Sequence, residues 1–334
     1  MLRTQSPTRP RTIDELLGSQ LAARLNQLDV ASRKVFAGKL KGERKSKKRG
    51  ESVEFADHRS YVVGDDLRHI DWNIFGRLDK LFLKLFLEEE DLSLQIVIDC
   101  SESMACGEPE KFLFVQKAAA ALAYIGLVNM HRVTLTAVGE AVPQAGQEEA
   151  GGNSVAPTAT AAVGAAPGGG GIRSVLRNLR GKRRASDMAA WVCSLEPGGP
   201  ANFAEAAKRI ALTRTGKGVM IVLSDFLFKE GYEQGLRYLI GHGYDVVIMQ
   251  VLSPQEIDPQ LGGDLRLKDV EDADATEVTI SAPLLKKYKE TLASFCADLR
   301  KFCAQREMAH LTLPSNTPVD ALVMDYLRSR GVLK

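Results

Sequence analysis

The chain has 334 residues, 45% hydrophobic and 26% charged, which is ordinary for a water-soluble fold of one large or two modest domains. Its 44 Lys and Arg against 42 Asp and Glu leave a formal charge of +2, so attraction to nucleic acid or to an anionic membrane has to come from local patches. No run approaches the ~18 apolar residues of a membrane span, the N-terminus lacks a secretory signal's apolar segment, and the five cysteines (Cys100, Cys106, Cys193, Cys296, Cys303) form no C-x-x-C pair; a reduced, cytoplasmic chain is expected, without a disulfide framework or zinc ribbon.

Ile13, Leu16, Leu17, Leu21, Leu25 and Leu28 recur at spacings of three and four, which predicts a helix from about Thr12 to Phe36. The basic run from Lys39 to Gly50 follows, read as a solvated, self-repelling loop or, alternatively, as a contact for phosphate or an acidic protein. No interleaved aromatics support base stacking there. Next comes a stretch from Val53 to Arg77 dense in both charge signs and in aromatics, with a turn signal at Gly64, Asp65 and Asp66, and then "DKLFLKLFLEEED" (Asp79 to Asp91), read as a strand leading to an acidic turn.

From Ser93 onward short apolar runs alternate with helical patterns. Ser93 to Asp99 predicts a strand, Glu110 to Met130 a helix with Phe112, Val115, Ala119, Leu122 and Ile125 inward, and Arg132 to Val138 a strand. Gly139 to Gly171 is too rich in Gly, Ala and Pro to bury much surface and is expected to be a disordered insertion. The basic cluster Arg173, Arg177, Arg180, Lys182, Arg183 and Arg184 behind it reads as the solvated face of a helix. Two further apolar strands end at Asp225 and Leu252, with a helix between them through Tyr232 to Ile240. A polar-turn hairpin over Gly263 to Ile280, a long helix from Pro283 to about Arg306, a strand in "AHLTLP" and a final helix complete the chain.

Near-continuous apolar strands joined by helices predict an α/β fold with an open, mostly parallel, doubly wound sheet, carrying an N-terminal helical and charged extension and a β-hairpin appended to the sheet. The predicted division is 1–88 for the helix, basic run and charged segment, and 89–334 for the α/β domain, with the insertion at about 140–171.

Ligands of open α/β sheets bind beyond the carboxyl ends of the strands, and Asp99 ends the first central one. Ser101 and Ser103, two and four residues on, can aim hydroxyls at the same point, and Asp225 ends a second central strand. One carboxylate with two hydroxyls is an oxygen-only set suited to a hard cation such as Mg²⁺. The alternative is that Asp99 caps the following helix while the serines satisfy loop amides.

These residues resemble the metal-ion-dependent adhesion site of von Willebrand factor A-like domains, where a D-x-S-x-S loop follows the first strand, a threonine comes from a second loop and an aspartate from a later strand. The resemblance assigns Asp99, Ser101 and Ser103 to the first loop and Asp225 to the last element. The threonine position falls on Ala201 in "GGPANFAEAAKRI", with Asn202 as the substitute oxygen donor for Mg²⁺.

Upstream, Arg59, Tyr61, Gly64, Asp65, Asp66, Arg68, Ile70, Asp71 and Trp72 meet the pattern R-x-Y-x-x-G-D-D-x-R-x-I-D-W, and the chain resembles the bacterial family known as domain of unknown function fifty-eight, in its soluble subgroup. The resemblance implies a von Willebrand factor A-like fold and a partner, a MoxR-type AAA+ ATPase, in chaperone-like maturation or assembly. An acidic residue of the ATPase or its client would complete the cation's coordination. The signature itself reads either as an ion-pair network pinning the segment or as a docking surface, since Trp, Tyr and Arg are common interface anchors. Under the second reading Arg59, Tyr61, Asp65, Asp66, Arg68, Asp71 and Trp72 contact the partner.

An enzyme is the contrasting expectation, for example a metal-dependent hydrolase. A phosphatase of the haloacid dehalogenase type needs a second aspartate where Ser101 stands; no G-x-S-x-G elbow appears, and the five histidines are scattered. "TRTGKG" lacks the first glycine of an ATP-binding P-loop. Nucleic-acid binding through the basic runs is the third reading, without a recognisable DNA- or RNA-binding motif behind it.

Overall fold

Two short helices stand where a single long one was expected. In a computed structural model of the chain, α1 (Ile13–Leu17) and α2 (Ser19–Leu25) are separated by Gly18, whose φ of 69° lies in the left-handed region that interrupts a helix. The described residues are 10, 12–31, 54–87, 92–140, 171–214, 216–240, 244–268, 275–328 and 331–333. The basic run at 39–50 lies outside them.

The chain divides into two units, Ala37–Asp91 and the remainder, Met1–Phe36 with Leu92–Lys334. Sequence grouping placed the N-terminal helix with residues 1–88, yet Leu16, Leu17, Leu25 and Leu28 are buried in the core of the larger unit. The smaller unit contains β1 (Glu54–Ser60), α3 (Trp72–Leu78) and β2 (Phe82–Leu87), with β1 and β2 paired antiparallel.

The larger unit continues with β3 (Ser93–Asp99), α4 (Lys111–Val128), β4 (Arg132–Val138), β5 (Ile172–Leu179), α5 (Ala185–Ser194), α6 (Phe203–Thr213), β6 (Gly218–Ser224), α7 (Glu233–Leu239) and β7 (Tyr244–Leu252). There follow α8 (Pro254–Ile257), β8 (Gly263–Lys268), β9 (Ala275–Ile280), α9 (Ala282–Ala304), β10 (Ala309–Pro314) and α10 (Val319–Ala321), which runs into a π-helical stretch, Leu322–Leu327.

Six strands form one sheet in the order β10-β7-β6-β3-β4-β5, parallel except for β5. β3 is buried throughout because both sheet faces are covered. Leu94, Ile96 and Ile98 face a core shared with α4, α5 and the N-terminal helices, whereas Val97 joins Met220, Val222, Val246 and Ile248 in a second core under α6, α7 and α9. Each such side chain contributes about 1.5–3 kcal/mol relative to exposure.

The five residues of α4 expected to face inward are all buried. The helix is long and apolar enough by composition to cross a membrane, but most of it lies inside this core. Where β6 enters the sheet, a Cβ on Gly218 would fall 1.9 Å from Ser93 O, so only glycine lets the two strands approach.

Three expectations are corrected. Arg173 and Arg177 lie on β5, an edge strand, and not on a helix; Lys182–Arg184 form a 3₁₀ turn before α5. Ile172, Val175, Leu176 and Leu179 have helical spacing, but register shifts against β4 let a strand carry it. The β8–β9 hairpin is a separate two-stranded sheet and is not joined to the large one.

The expected insertion, 140–171, lies outside the described residues except at its ends. There Gly139 N donates to Gly171 O at 2.9 Å.

Strand order changes direction at β3: the chain proceeds from it through α4 to β4 on one side and later returns to β6 on the other. This places the sheet's crevice at the carboxyl ends of β3 and β6.

Candidate functional site

Asp99 closes β3 at that crevice and is buried. Its Oδ1 accepts from Ser101 N at 2.9 Å and its Oδ2 from Ser224 Oγ, the last residue of β6, at 2.6 Å. Ser101 and Ser103 stand side by side, with their hydroxyl oxygens 2.9 Å apart. Burial first, and the negative charge of Asp225 second, push the Asp99 carboxyl up to about 6, while the hydrogen bonds from Ser224 and Ser101 pull the other way. The neighbouring Cys100 thiol is pushed up to about 12, chiefly by burial, which leaves it protonated and unreactive.

The second loop is fastened to the first by main-chain bonds. Gly198 N donates to Cys100 O at 2.9 Å, and Glu102 N donates to Gly199 O at 3.0 Å. Arg173, on β5, ties the same loop to the end of β4: Nε donates to Glu140 O at 2.8 Å, and the terminal nitrogens donate to the carbonyls of Glu196 and Gly198. Sequence reasoning counted this arginine among six surface cations. The side-chain oxygen of Asn202 accepts from Glu205 N at 2.9 Å and caps α6.

Asp225 lies just beyond β6 and is buried. Its Oδ1 accepts from Leu227 N at 3.0 Å and its Oδ2 from Lys111 Nζ at 2.7 Å. Lys111 opens α4, is wholly buried, and also donates to Glu256 Oε1 at 2.6 Å. Burial alone would lower the Lys111 pKa, but Asp225 and Glu256 more than reverse it and hold the ammonium charged. Sequence reasoning missed this lysine; the signal that could have found it is a cation in the first turn of a helix, which opposes the helix dipole. Something else had to hold it there.

Asp99, Ser101 and Ser103 thus come together as expected, while the other positions assigned to the cation are engaged elsewhere. Asp225 is committed to an ammonium, Asn202 to a helix cap, and Ala201 offers no side-chain oxygen. Among the described residues no three of His, Cys, Asp and Glu assemble as a metal-holding group.

In the smaller unit the signature residues are tied mostly to one another. Gly64, at φ 104°, makes the turn in which Asp65 N donates to Val62 O at 3.0 Å. Asp65 accepts from Arg59 at 2.9 Å and from Val62 N at 2.9 Å. Asp66 takes Arg68 through backbone and guanidinium alike, which lowers its own pKa and raises that of Arg68. Tyr61 N donates to Leu81 O at 2.9 Å.

Asp71 caps α3 through the amides of Asn73 and Ile74, and its other oxygen meets His58 at 3.0 Å and Lys84 at 3.4 Å. The His58 bond is the chief reason its carboxyl falls to about 2. Trp72, beside it, is 64% exposed and packs edge-on against Phe75 at 6.1 Å.

Comparison with known proteins adds the following. The model of a family described as "Protein of unknown function DUF58" matches residues 57–294. Uncharacterized proteins of Mycobacterium bovis and Mycobacterium tuberculosis are each 23% identical over 288 residues, covering 84% of this chain and 81% of theirs. Among solved structures, the conserved hypothetical protein BatB from Bacteroides thetaiotaomicron aligns with a TM-score of 0.38 at 9% identity, over 72% of this chain and 98% of that one. The pilus adhesin SpaC from Lactobacillus rhamnosus GG aligns at 0.41 and 13%, over 73% and 30%.

Proposed function

The chain belongs to the DUF58 family of proteins of unknown function, and from that premise we propose that it is a non-enzymatic protein-binding module, an adaptor that works with a MoxR-type AAA+ ATPase in chaperone-like maturation or assembly in the cytoplasm. Its larger unit serves as a von Willebrand factor A-like platform. The observation that carries the reading is the surface of the smaller unit. Five large apolar side chains, Val62, Val63, Leu67, Trp72 and Leu78, stand 58–94% exposed within seventeen residues, among charges already paired to one another. Exposed apolar groups rimmed by satisfied polar ones are the composition of a protein interface. Arg59, Asp65, Asp66 and Asp71 shape that surface, and Trp72 with Arg68 and Tyr61 makes the contact. ATP hydrolysis falls to the partner, since the chain carries no P-loop sequence.

The experiment is capture from the native cell's lysate by the tagged full chain and by its Trp72→Ala, Leu67→Ser variant. Retention of an AAA+ ATPase by the first and its loss from the second is expected. Equal retention by both would remove the smaller unit from the interface, and no ATPase in either would remove the adaptor.

A further inference from the structure

We infer that Lys111 is the resident cation of the carboxyl-edge crevice: its ammonium pairs with both Asp225 and Glu256 in place of a divalent ion, and the site works without metal.

The lysine is built into position from three directions. Glu256 is oriented by its own capping box, with Oε2 accepting from Ser253 N at 2.7 Å and from Ser253 Oγ at 3.0 Å, which leaves Oε1 for Lys111. The loop before Lys111 is fastened to α8 by a reciprocal pair. Glu108 N donates to Gln255 Oε1 at 3.0 Å and Gln255 Nε2 donates to Glu108 O at 2.9 Å.

Behind that loop, Ser315 Oγ at the end of β10 donates to Pro109 O at 2.7 Å, and a Cβ on Gly107 would fall 2.3 Å from the Ser253 Cβ. The same lysine therefore joins the carboxyl ends of β6 and β7 to the start of α4.

A buried ammonium has to be matched by carboxylates, and here two are supplied at hydrogen-bonding distance with nothing of the lysine side chain left exposed. A divalent ion arriving at Asp99, Ser101 and Ser103 would lose Asp225 as a ligand and meet a fixed positive charge across that carboxylate. The inference does not depend on the partner's identity.

The test uses the full chain with Mg²⁺ or Mn²⁺ alone as probe, followed by titration calorimetry and by melting temperature against a KCl control of equal ionic strength. Wild type is expected to give no binding heat and no melting shift with metal or with EDTA. Lys111→Met, which empties the cation position while keeping the stem, is expected to gain a metal-dependent rise in melting temperature, or to need Mg²⁺ in order to refold. Stoichiometric metal binding by wild type that is lost in Ser103→Ala would overturn the inference. So would a Lys111→Met chain that Mg²⁺ neither stabilises nor refolds.

Discussion

In the larger unit one ammonium, that of Lys111, is shared by two carboxylates; in the smaller unit one carboxylate, that of Asp71, is shared by His58, Lys84 and two amides of α3. The two clusters are centred on charges of opposite sign and differ in their access to water. Lys111 has none, so its partners have no substitute for it, whereas His58 and Lys84 are part-exposed and water can replace them. A charge shared in the interior is a structural commitment; the same sharing near the surface is an adjustable one.

The largest expected effect comes from breaking the interior cluster. Lys111→Met without metal should lower unfolding stability by about 3–5 kcal/mol, because two buried carboxylates lose their counter-charge. Denaturant melts would measure it, and adding Asp225→Asn and Glu256→Gln to the same chain should recover much of the loss. A loss under about 1 kcal/mol for the single variant would mean that water reaches the pair.

The second effect is a pH dependence of opposite sign in the two units. Asp99 has a raised folded pKa, so its contribution is fully present below the unfolded value near 4 and is lost as pH rises through about 6. Replacing it by asparagine should therefore shift the stability difference toward the variant by roughly 2–3 kcal/mol between pH 4 and pH 8. A difference that stays flat over that interval would show that Asp99 titrates as it does in the unfolded chain. Asp71 has a lowered folded pKa, so its contribution is present above the unfolded value and is lost as pH falls toward about 2. Protection factors for amide exchange at Asn73 and Ile74, taken relative to the unfolded chain, should fall over that acid interval and stay level above pH 5; uniform protection down to pH 2 would exclude the cap.

The smallest effect separates packing from recognition. Trp72→Ala should change stability by less than about 0.5 kcal/mol while abolishing partner capture. A larger loss of stability would place the ring in the fold and not at the interface.

The α/β class, the main strands of the parallel sheet and the Asp99 loop were legible because each rests on a local pattern: an apolar run, a helical period, a strand ending in aspartate. What was not legible depends on contacts between residues distant in the chain. Glu256 stands 145 positions from Lys111, and no periodicity links them. β5 carries a helical spacing that only its register shifts against β4 convert into a strand. Gly18 breaks the first helix at a residue that the leucine period passes over. The bonds that Asp225 makes to Lys111 and Asn202 to the start of α6 lie outside the D-x-S-x-S motif and could not be read from it.

The bond from Gly139 N to Gly171 O sets the two ends of the β4–β5 connection beside each other at the sheet margin. A connection whose ends are already joined tolerates great variation in length, since each doubling of a flexible loop adds only about 0.6 kcal/mol. This makes the position a natural graft point. A fluorescent or affinity module spliced between the two glycines would report on the protein in living cells without altering either terminus.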